Sequence, residues 1–148
     1  TKEMESTEMA RLREMCESAG LSDLVTFLGK RGQDTLPYYY SAAEAVVVPS
    51  HYESFGMVAL EAMACGAPVV ASQVGGLAFL VKDGQTGFTV PVDDPKELAN
   101  RLAMVVNDHD LRERLGKQAA QSAQEYAWEN IADQMIKAYQ DLLPREKK

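Results

Sequence analysis

The stretch HYESFGMVALEAMACGAPVVAS, residues 51–72, connects one apolar run with the next. It follows AVVVP (45–49) and ends in PVVAS (68–72), and both runs have the composition of strands that are buried on both faces. Between them, Gly56–Cys65 has the composition of a helix that a following glycine ends. A strand, a helix and a second strand in this order predict a parallel pair joined by a helix.

The rest of the chain repeats this alternation. Two further apolar runs, 24–29 and 87–92, are predicted as strands. The remaining predicted helices are Glu8–Ser18, Leu36–Ala43, Pro95–Val106, Leu111–Tyr126 and Trp128–Leu143. The pattern predicts the α/β class, with a Rossmann-like parallel sheet flanked by helices on both faces and followed by C-terminal helices. Because no linker or repeat interrupts it, residues 1–148 are predicted to form a single domain.

Composition limits the class of partner. A net charge of −7 argues against nucleic acid and against an anionic membrane surface, since both need clustered Lys and Arg. The two cysteines, Cys16 and Cys65, lack metal-ligand spacing and are interpreted as reduced thiols. The first residues are polar, unlike a signal peptide, and a cytoplasmic protein without a metal is therefore predicted. The absence of a first Met is expected to reflect processing or excision.

The loop 50–56 is the candidate ligand site, because open parallel sheets bind ligands beyond the carboxyl ends of their strands. The backbone amides of residues 54–57 are expected to open the helix unpaired, so that they and the helix dipole attract an anion. Gly56 would let the backbone approach that ligand closely. Neither the P-loop pattern nor the dinucleotide-binding glycine pattern is present in the sequence.

Two carboxylates, Glu53 and Glu61, flank this predicted anion site. A carboxylate can accept hydrogen bonds from a vicinal diol such as a ribose. A ligand with hydroxyls at both ends and phosphates in the middle would fit, and a nucleotide-sugar has that layout. The alternative is that Glu61 is a solvated helix residue and Glu53 a cap, although a Glu inside an apolar helix is rare unless it is paired.

The segment PSHYESFGMVALEAMACGAPVVAS resembles the Glu-x7-Glu motif of retaining glycosyltransferases of family 4, the glycosyl transferases group 1 domain, which have the GT-B fold. VTFLGKR, VGGLAFLVKDGQTGFTVPVDDPKELANRL and DHDLRERLGKQAAQSAQEYAWENIADQMIKAYQDLL resemble further segments of that family in the same order. The resemblance covers about residues 8–143 and implies an incomplete C-terminal donor-binding half of such an enzyme.

The resemblance also implies roles for individual residues. Glu53 would contact hydroxyls of the donor sugar and position it for transfer, and Glu61 would bind the ribose hydroxyls. Lys30 and Arg31 fall where backbone groups contact the base, although they are equally well read as surface charges. The turn around the sugar and diphosphate would consist of Ser54, Phe55, Gly56, Met57 and Val58.

Other residues near the motif receive weaker assignments. His51 is expected to have no special role, and Tyr38–Tyr40 is expected to pack rather than stack on a base. Gly75 and Gly76 either shape a loop near the sugar or make a turn. Where many relatives have an acid, this chain has Ala78–Phe79, which is its departure from the family pattern.

The family's length implies missing parts: an N-terminal acceptor domain and the first strands of the C-terminal domain, with a basic pair that neutralises the diphosphate. We therefore expect the 148 residues alone to be inactive. Strand 24–29 would lie beyond a two-strand gap. It would then repack against strand 45–49, pair with another chain or need a supplied segment, and an exposed sheet edge could form a homo-oligomer.

Two hypotheses follow. In the first, the chain is the donor-binding portion of a nucleotide-sugar-dependent retaining glycosyltransferase, which transfers a sugar to an acceptor hydroxyl in the complete enzyme; the nucleotide-sugar is the substrate and no cofactor is needed. In the second, it is a non-catalytic folded half-domain or engineered fragment that is structural or oligomerising and binds nucleotide weakly at most. An enzyme of another class with a phosphate site, such as a sugar epimerase, is a third and more distant interpretation.

Overall fold

The computed structural model describes residues 2–142, and the side chains of residues 7–142. By their internal contacts the residues form two compact units, Thr1–Gly32 and Gln33–Lys148. The predicted helix end at Leu143 lies outside the described residues. The prediction of one domain over residues 1–148 stays a prediction.

The first unit consists of helix α1 (Lys2–Ser18) and an irregular segment after it. The predicted strand at 24–29 is wrong, because these residues form no strand. The segment instead begins with a turn in which the amides of Leu24 and Val25 donate to the carbonyl of Leu21. The guanidinium of Arg13 on α1 then lies 4.7 Å from the ring centroid of Phe27. A β-rich composition does not make a strand without a partner that completes its ladder of hydrogen bonds.

The second unit follows the predicted alternation of strands and helices, which confirms the α/β class. Its strands are β1 (Val46–Val48), β2 (Val69–Ser72) and β3 (Gly87–Val90). Its helices are α2 (Leu36–Ala42), α3 (Met57–Ala64), α4 (Leu77–Leu80), α5 (Pro95–Asn107), α6 (His109–Ala123) and α7 (Trp128–Leu142), with a 3₁₀ turn at Gln124–Tyr126. The sequence did not predict the four-residue α4, since its two preceding glycines are typical of a turn.

The sheet is parallel, in the order β1-β2-β3. Val46 pairs with Val69 across the first two strands, and Val70 pairs with Phe88 across the second two. Every residue of the central strand β2 is buried, as the continuous apolar run predicted. Within the described residues, strand β1 pairs with another strand on one side only. Val47 of this strand is 37% exposed.

Two apolar clusters cover the two faces of the sheet. Successive side chains of a strand point to opposite faces, so Val69 joins one cluster and Val70 the other. The first cluster includes Met63 of α3 and residues of α4 and the end of α6. The second contains Val105 of α5 and Leu115 of α6. Helices therefore pack on both faces, which confirms the prediction from the right-handed crossover rule.

The helix starts follow local capping chemistry. The carboxylate of Asp94 accepts a hydrogen bond of 2.9 Å from the Glu97 amide, and Pro95 occupies the first turn of α5. Asp108 caps α6 in the same way through the amide of Leu111. These side chains stabilise amides that have no partner inside the helix.

Helix α7 is amphipathic, yet none of its residues is buried. Its large exposed apolar side chains are Trp128, Met135, Ile136, Tyr139 and Leu142. No helix in the described residues is long and apolar enough to cross a membrane.

Met63→Ala is expected to lower the free energy of unfolding by about 2–5 kcal/mol, since Met63 is fully buried and its truncation leaves a cavity. The matched control is Met104→Ala on α5, where the side chain is 45% exposed; it should cost less than about 1 kcal/mol. Urea unfolding followed by circular dichroism measures both. Equal losses would contradict the assignment of α3 to the core.

Candidate functional site

Two loops meet at the carboxyl end of the sheet. One follows β1 and carries Glu53, and the other follows β2 and contains Gly75 and Gly76. The amide of Gly76 donates a 3.0 Å hydrogen bond to the carbonyl oxygen of Glu53. This edge is where open α/β sheets bind ligands, so the backbone next to Glu53 is held at the expected place.

The two glycines allow the loops to approach more closely than any side chain would permit. A Cβ atom on Gly75 would lie 1.9 Å from the carbonyl oxygen of Glu53, and Gly75 has a positive φ of 42°. A Cβ on Gly76 would lie 2.4 Å from the backbone of Phe55. The glycine pair therefore shapes the neighbouring loop in addition to turning the chain.

Helix α3 begins at Met57, after Gly56 in a left-handed conformation with φ 101° and ψ 47°. The amides of Met57 and Val58 have no hydrogen-bond acceptor among the described residues. The expectation that all four opening amides are unpaired is wrong at Phe55, whose amide lies 3.4 Å from a carboxylate oxygen of Glu53. That pairing arises because Glu53 is two residues away in a tight turn.

The side chain of Phe55 connects this loop to the C-terminal part of the unit. Its ring meets the ring of Tyr126 edge to face, with centroids 5.7 Å apart and planes at 69°. Such a geometry places the positive edge of one ring on the face of the other. The loop that carries Glu53 is thus held by the glycine loop and by the 3₁₀ turn after α6.

Glu61 lies on the second turn of α3 and is half-buried. The hydroxyl of Tyr40 on α2 donates a 3.2 Å hydrogen bond to one of its carboxylate oxygens. Both side chains line a cavity of about 270 Å³. The rest of its lining consists of Gln33, Leu36, Pro37, Ala64 and Cys65. Glu61 is therefore a paired residue in a mostly apolar cavity, and the interpretation as a solvated helix residue does not describe it.

The sequence predicted that Tyr38–Tyr40 packs, which is right for Tyr40 and wrong for Tyr38, and it did not predict the contact of Tyr40 with Glu61. Of the tyrosine run, Tyr38 is 77% exposed, whereas Tyr40 packs against the apolar cluster that contains Met63. Burial, and then the hydrogen bond and charge of Glu61, raise the pKa of Tyr40 above its ordinary value. The sequence contains no signal for this pair, because 21 residues separate the partners and only packing brings them together.

The predicted site residues fall into separate groups. Glu53 and the residues through Val58 form one continuous segment that leads into α3. Glu61 lies further along α3, and its side chain contacts α2. Lys30 and Arg31 belong to the first unit, where both are exposed and Arg31 donates to the carbonyl of Lys30. Their contact with a base stays a prediction.

A second cavity, of about 420 Å³, lies at the same carboxyl edge near β3. At its rim the ring of His51 lies 2.7 Å from the carboxylate of Asp93, and both side chains are largely exposed. This contact connects the loop after β1 with the loop after β3. Among the described residues, no group of three or more His, Cys, Asp or Glu side chains is arranged to hold a metal ion.

A parallel sheet between helices, with loops that meet at its carboxyl edge, defines a Rossmann-like α/β domain. The family model "Glycosyl transferases group 1" matches residues 5–122. The chain therefore belongs to the glycosyl transferases group 1 family.

Among curated relatives, the chain is 43% identical over 137 residues to D-inositol 3-phosphate glycosyltransferase of Corynebacterium jeikeium. This match covers 93% of this chain and 33% of that protein. The enzyme of the same name from Thermobifida fusca is 42% identical over 132 residues, or 89% of this chain and 30% of the relative. The chain thus spans about a third of the length of the relatives that it matches.

Solved structures agree in fold. Sucrose-phosphate synthase from Thermosynechococcus elongatus superposes with a TM-score of 0.84 at 44% identity, over 92% of this chain and 34% of that one. Anabaena HepE in complex with UDP gives a TM-score of 0.83 at 30% identity, over 94% and 38%. These matches confirm the predicted fold, that of the C-terminal domain of a GT-B glycosyltransferase.

Gly75→Ala should displace the loop that carries Glu53, because the new methyl group would overlap a backbone oxygen. The control Gly84→Ala shares the positive φ, 69°, but a Cβ there meets nothing within 4 Å. We expect the control to cost about 1–2 kcal/mol of unfolding free energy from backbone strain. Gly75→Ala should cost about 1–3 kcal/mol more from overpacking. Urea unfolding and the amide NMR shifts of Glu53 and Phe55 measure the difference, and equal effects would contradict the close approach.

Proposed function

We propose that this chain is the donor-binding portion of a retaining, nucleotide-sugar-dependent glycosyltransferase. In the complete enzyme, the sugar would leave the nucleoside diphosphate and pass to an acceptor hydroxyl with its anomeric configuration kept. The observation that carries the proposal is the arrangement at the start of α3: the amides of Met57 and Val58, which have no acceptor among the described residues, with the carboxylates of Glu53 and Glu61 before and after them.

The amides supply the anion-binding part of the site. The N-terminal end of a helix carries partial positive charge, and its first amides point outward without partners inside the helix. A phosphate group is the common ligand of such an end. Gly56 has no side chain to cover it, and the side chains of Met57 and Val58 are only partly covered, at 56% and 48% exposure.

The carboxylates select against a bare phosphate and in favour of a ligand that also carries hydroxyls. A carboxylate accepts hydrogen bonds and repels an anion at the same distance. Glu61, in the cavity with Leu36 and Pro37, would receive the ribose, with apolar walls for the nucleoside. Glu53 would orient the donor sugar, and we do not assign it as a nucleophile. One solved relative, Anabaena HepE, has structures in complex with UDP and with UDP-glucose, which support this class of ligand.

The chemistry would rest on positioning and on stabilising the diphosphate that leaves. In this chain, the amides at the start of α3 provide part of that stabilisation. The basic pair that the family resemblance implies would come from the rest of a longer protein, as would the acceptor site. No cofactor is proposed, and a cytoplasmic location stays a prediction from composition.

A second candidate is a non-catalytic half-domain that assembles through its open surfaces. It is favoured by the exposed edge of β1 and by the apolar face of α7, which nothing covers within the described residues. The curated relatives are about three times as long as this chain. Their length favours further parts of the same protein, in place of a second copy, as the partner that covers these surfaces. Light scattering on the isolated chain would separate a self-associating module from a monomer.

Glu61→Gln should weaken binding of the preferred nucleoside diphosphate by about 10–100-fold, since a charge-assisted hydrogen bond to the ribose would be replaced by a neutral one. Isothermal titration with UDP, GDP and ADP measures this. The control is Glu113→Gln on α6, the same change at an exposed glutamate that is paired with Lys117. Binding that is unchanged in Glu61→Gln would contradict the ribose assignment, and no binding of any diphosphate to the unmodified chain would contradict the donor-binding proposal.

The isolated chain should show no sugar transfer, because the transition state would lack most of its electrostatic support. Release of diphosphate from UDP-, GDP- and ADP-glucose, in the presence of simple sugar and polyol acceptors, checks this. A turnover that depends on Glu53 would show that the 148 residues hold a complete active site.

A further inference from the structure

We propose that Tyr40 is a positioning residue: its hydroxyl holds one oxygen of the Glu61 carboxylate so that the other oxygen is directed at the hydroxyls of a bound ribose. This inference rests on the proposed function and adds to it a residue that neither the motif nor the family match assigns. Its basis is the 3.2 Å hydrogen bond between the two side chains in their shared cavity.

The ring of Tyr40 is itself fixed. It stands on α2, which begins at Leu36 with Pro37 in its first turn, and it packs against the apolar cluster behind α3. The helix α2 packs on α3, which carries Glu61. A ring held in this way leaves its hydroxyl little freedom, so the direction of the hydrogen bond is set by the core.

Within the described part of the chain, only one of the two Glu61 carboxylate oxygens accepts a hydrogen bond. Tyr40 donates to Oε2 of Glu61, and no described residue donates to Oε1. A carboxylate can accept hydrogen bonds on both oxygens, so Glu61 retains capacity for a ligand after its contact with Tyr40. Since a Glu side chain loses rotamer freedom when it is ordered, a contact that orders it beforehand lowers the entropic cost of binding.

Tyr40 remains a donor under ordinary conditions. Burial and the neighbouring Glu61 raise the pKa of its phenol, so the neutral form persists throughout the neutral range. Because the folded-state pKa of Tyr40 is raised, the contact is fully present below the ordinary pKa of about 10 and is lost as the pH rises through the higher folded-state pKa. Besides Glu61, the ionisable side chain that acts on Tyr40 is Cys65, whose negative charge as a thiolate raises the pKa of the phenol further.

The test is Tyr40→Phe, which removes the hydroxyl and keeps the ring. Tyr38→Phe on the same helix is the matched control, because it makes the same chemical change on a largely exposed ring. Isothermal titration would use UDP, GDP and ADP, and then the 2′,3′-dideoxy form of the nucleotide that binds. Tyr40→Phe should weaken binding of the ribonucleotide about tenfold and leave binding of the dideoxy form unchanged. This is the result expected for the loss of one hydrogen bond that acts through the diol.

The outcomes separate this inference from the function on which it rests. An equal loss of affinity for both nucleotides would mean that Tyr40 is only structural. Unchanged affinity for both would mean that Glu61 needs no positioning. Either result overturns the inference and leaves the proposed donor site standing. If the unmodified chain binds no nucleotide, the proposed function fails and the inference fails with it. NMR titration of the Tyr40 phenol tests the pair directly: its pKa should fall in Glu61→Gln, and an unchanged pKa would overturn the contact.

Discussion

The site depends on one steric constraint, the backbone contact between the glycine pair after β2 and the loop after β1. The amide of Gly76 holds the carbonyl of Glu53, and at Gly75 and Gly76 a methyl group would overlap backbone atoms. Backbone atoms cannot rotate away as side chains can, so this contact fixes the direction in which the chain enters α3. The free amides and the position of Glu53 both follow from that direction.

The electrostatics of the site come from the backbone and from two acids. Phosphate groups would meet partial charges on amides at the start of α3, and hydroxyl groups would meet carboxylates on either side. This is consistent with an acidic protein that recognises a neutral sugar and a nucleoside joined by phosphates. Under the proposed function the isolated chain would be inactive, since full cations stabilise a leaving diphosphate better than amide dipoles do.

Much of the fold was predictable, because apolar periodicity and capping residues act locally. The run at 68–72 predicts the buried strand that forms at Val69–Ser72, and Asp94 followed by Pro95 predicts the observed start of α5. The run at 24–29 has the same β-rich composition, yet it is irregular. A strand is stabilised by the partner that pairs with it, and composition carries no information about whether that partner exists.

For the site, the sequence by itself determined which groups are available: Glu53, Gly56 and Glu61 lie within nine residues, in a segment that resembles the motif of the family that the match over residues 5–122 shows. The tertiary structure decided which groups act together. It placed Tyr40 on Glu61, directed the Phe55 amide to Glu53 and set Gly75 against the Glu53 carbonyl. Glu53, Gly56 and Glu61 are recognised from a local pattern of sequence. Two of the three contacts, in contrast, join residues about twenty positions apart, which only the packing of the sheet and its helices brings together.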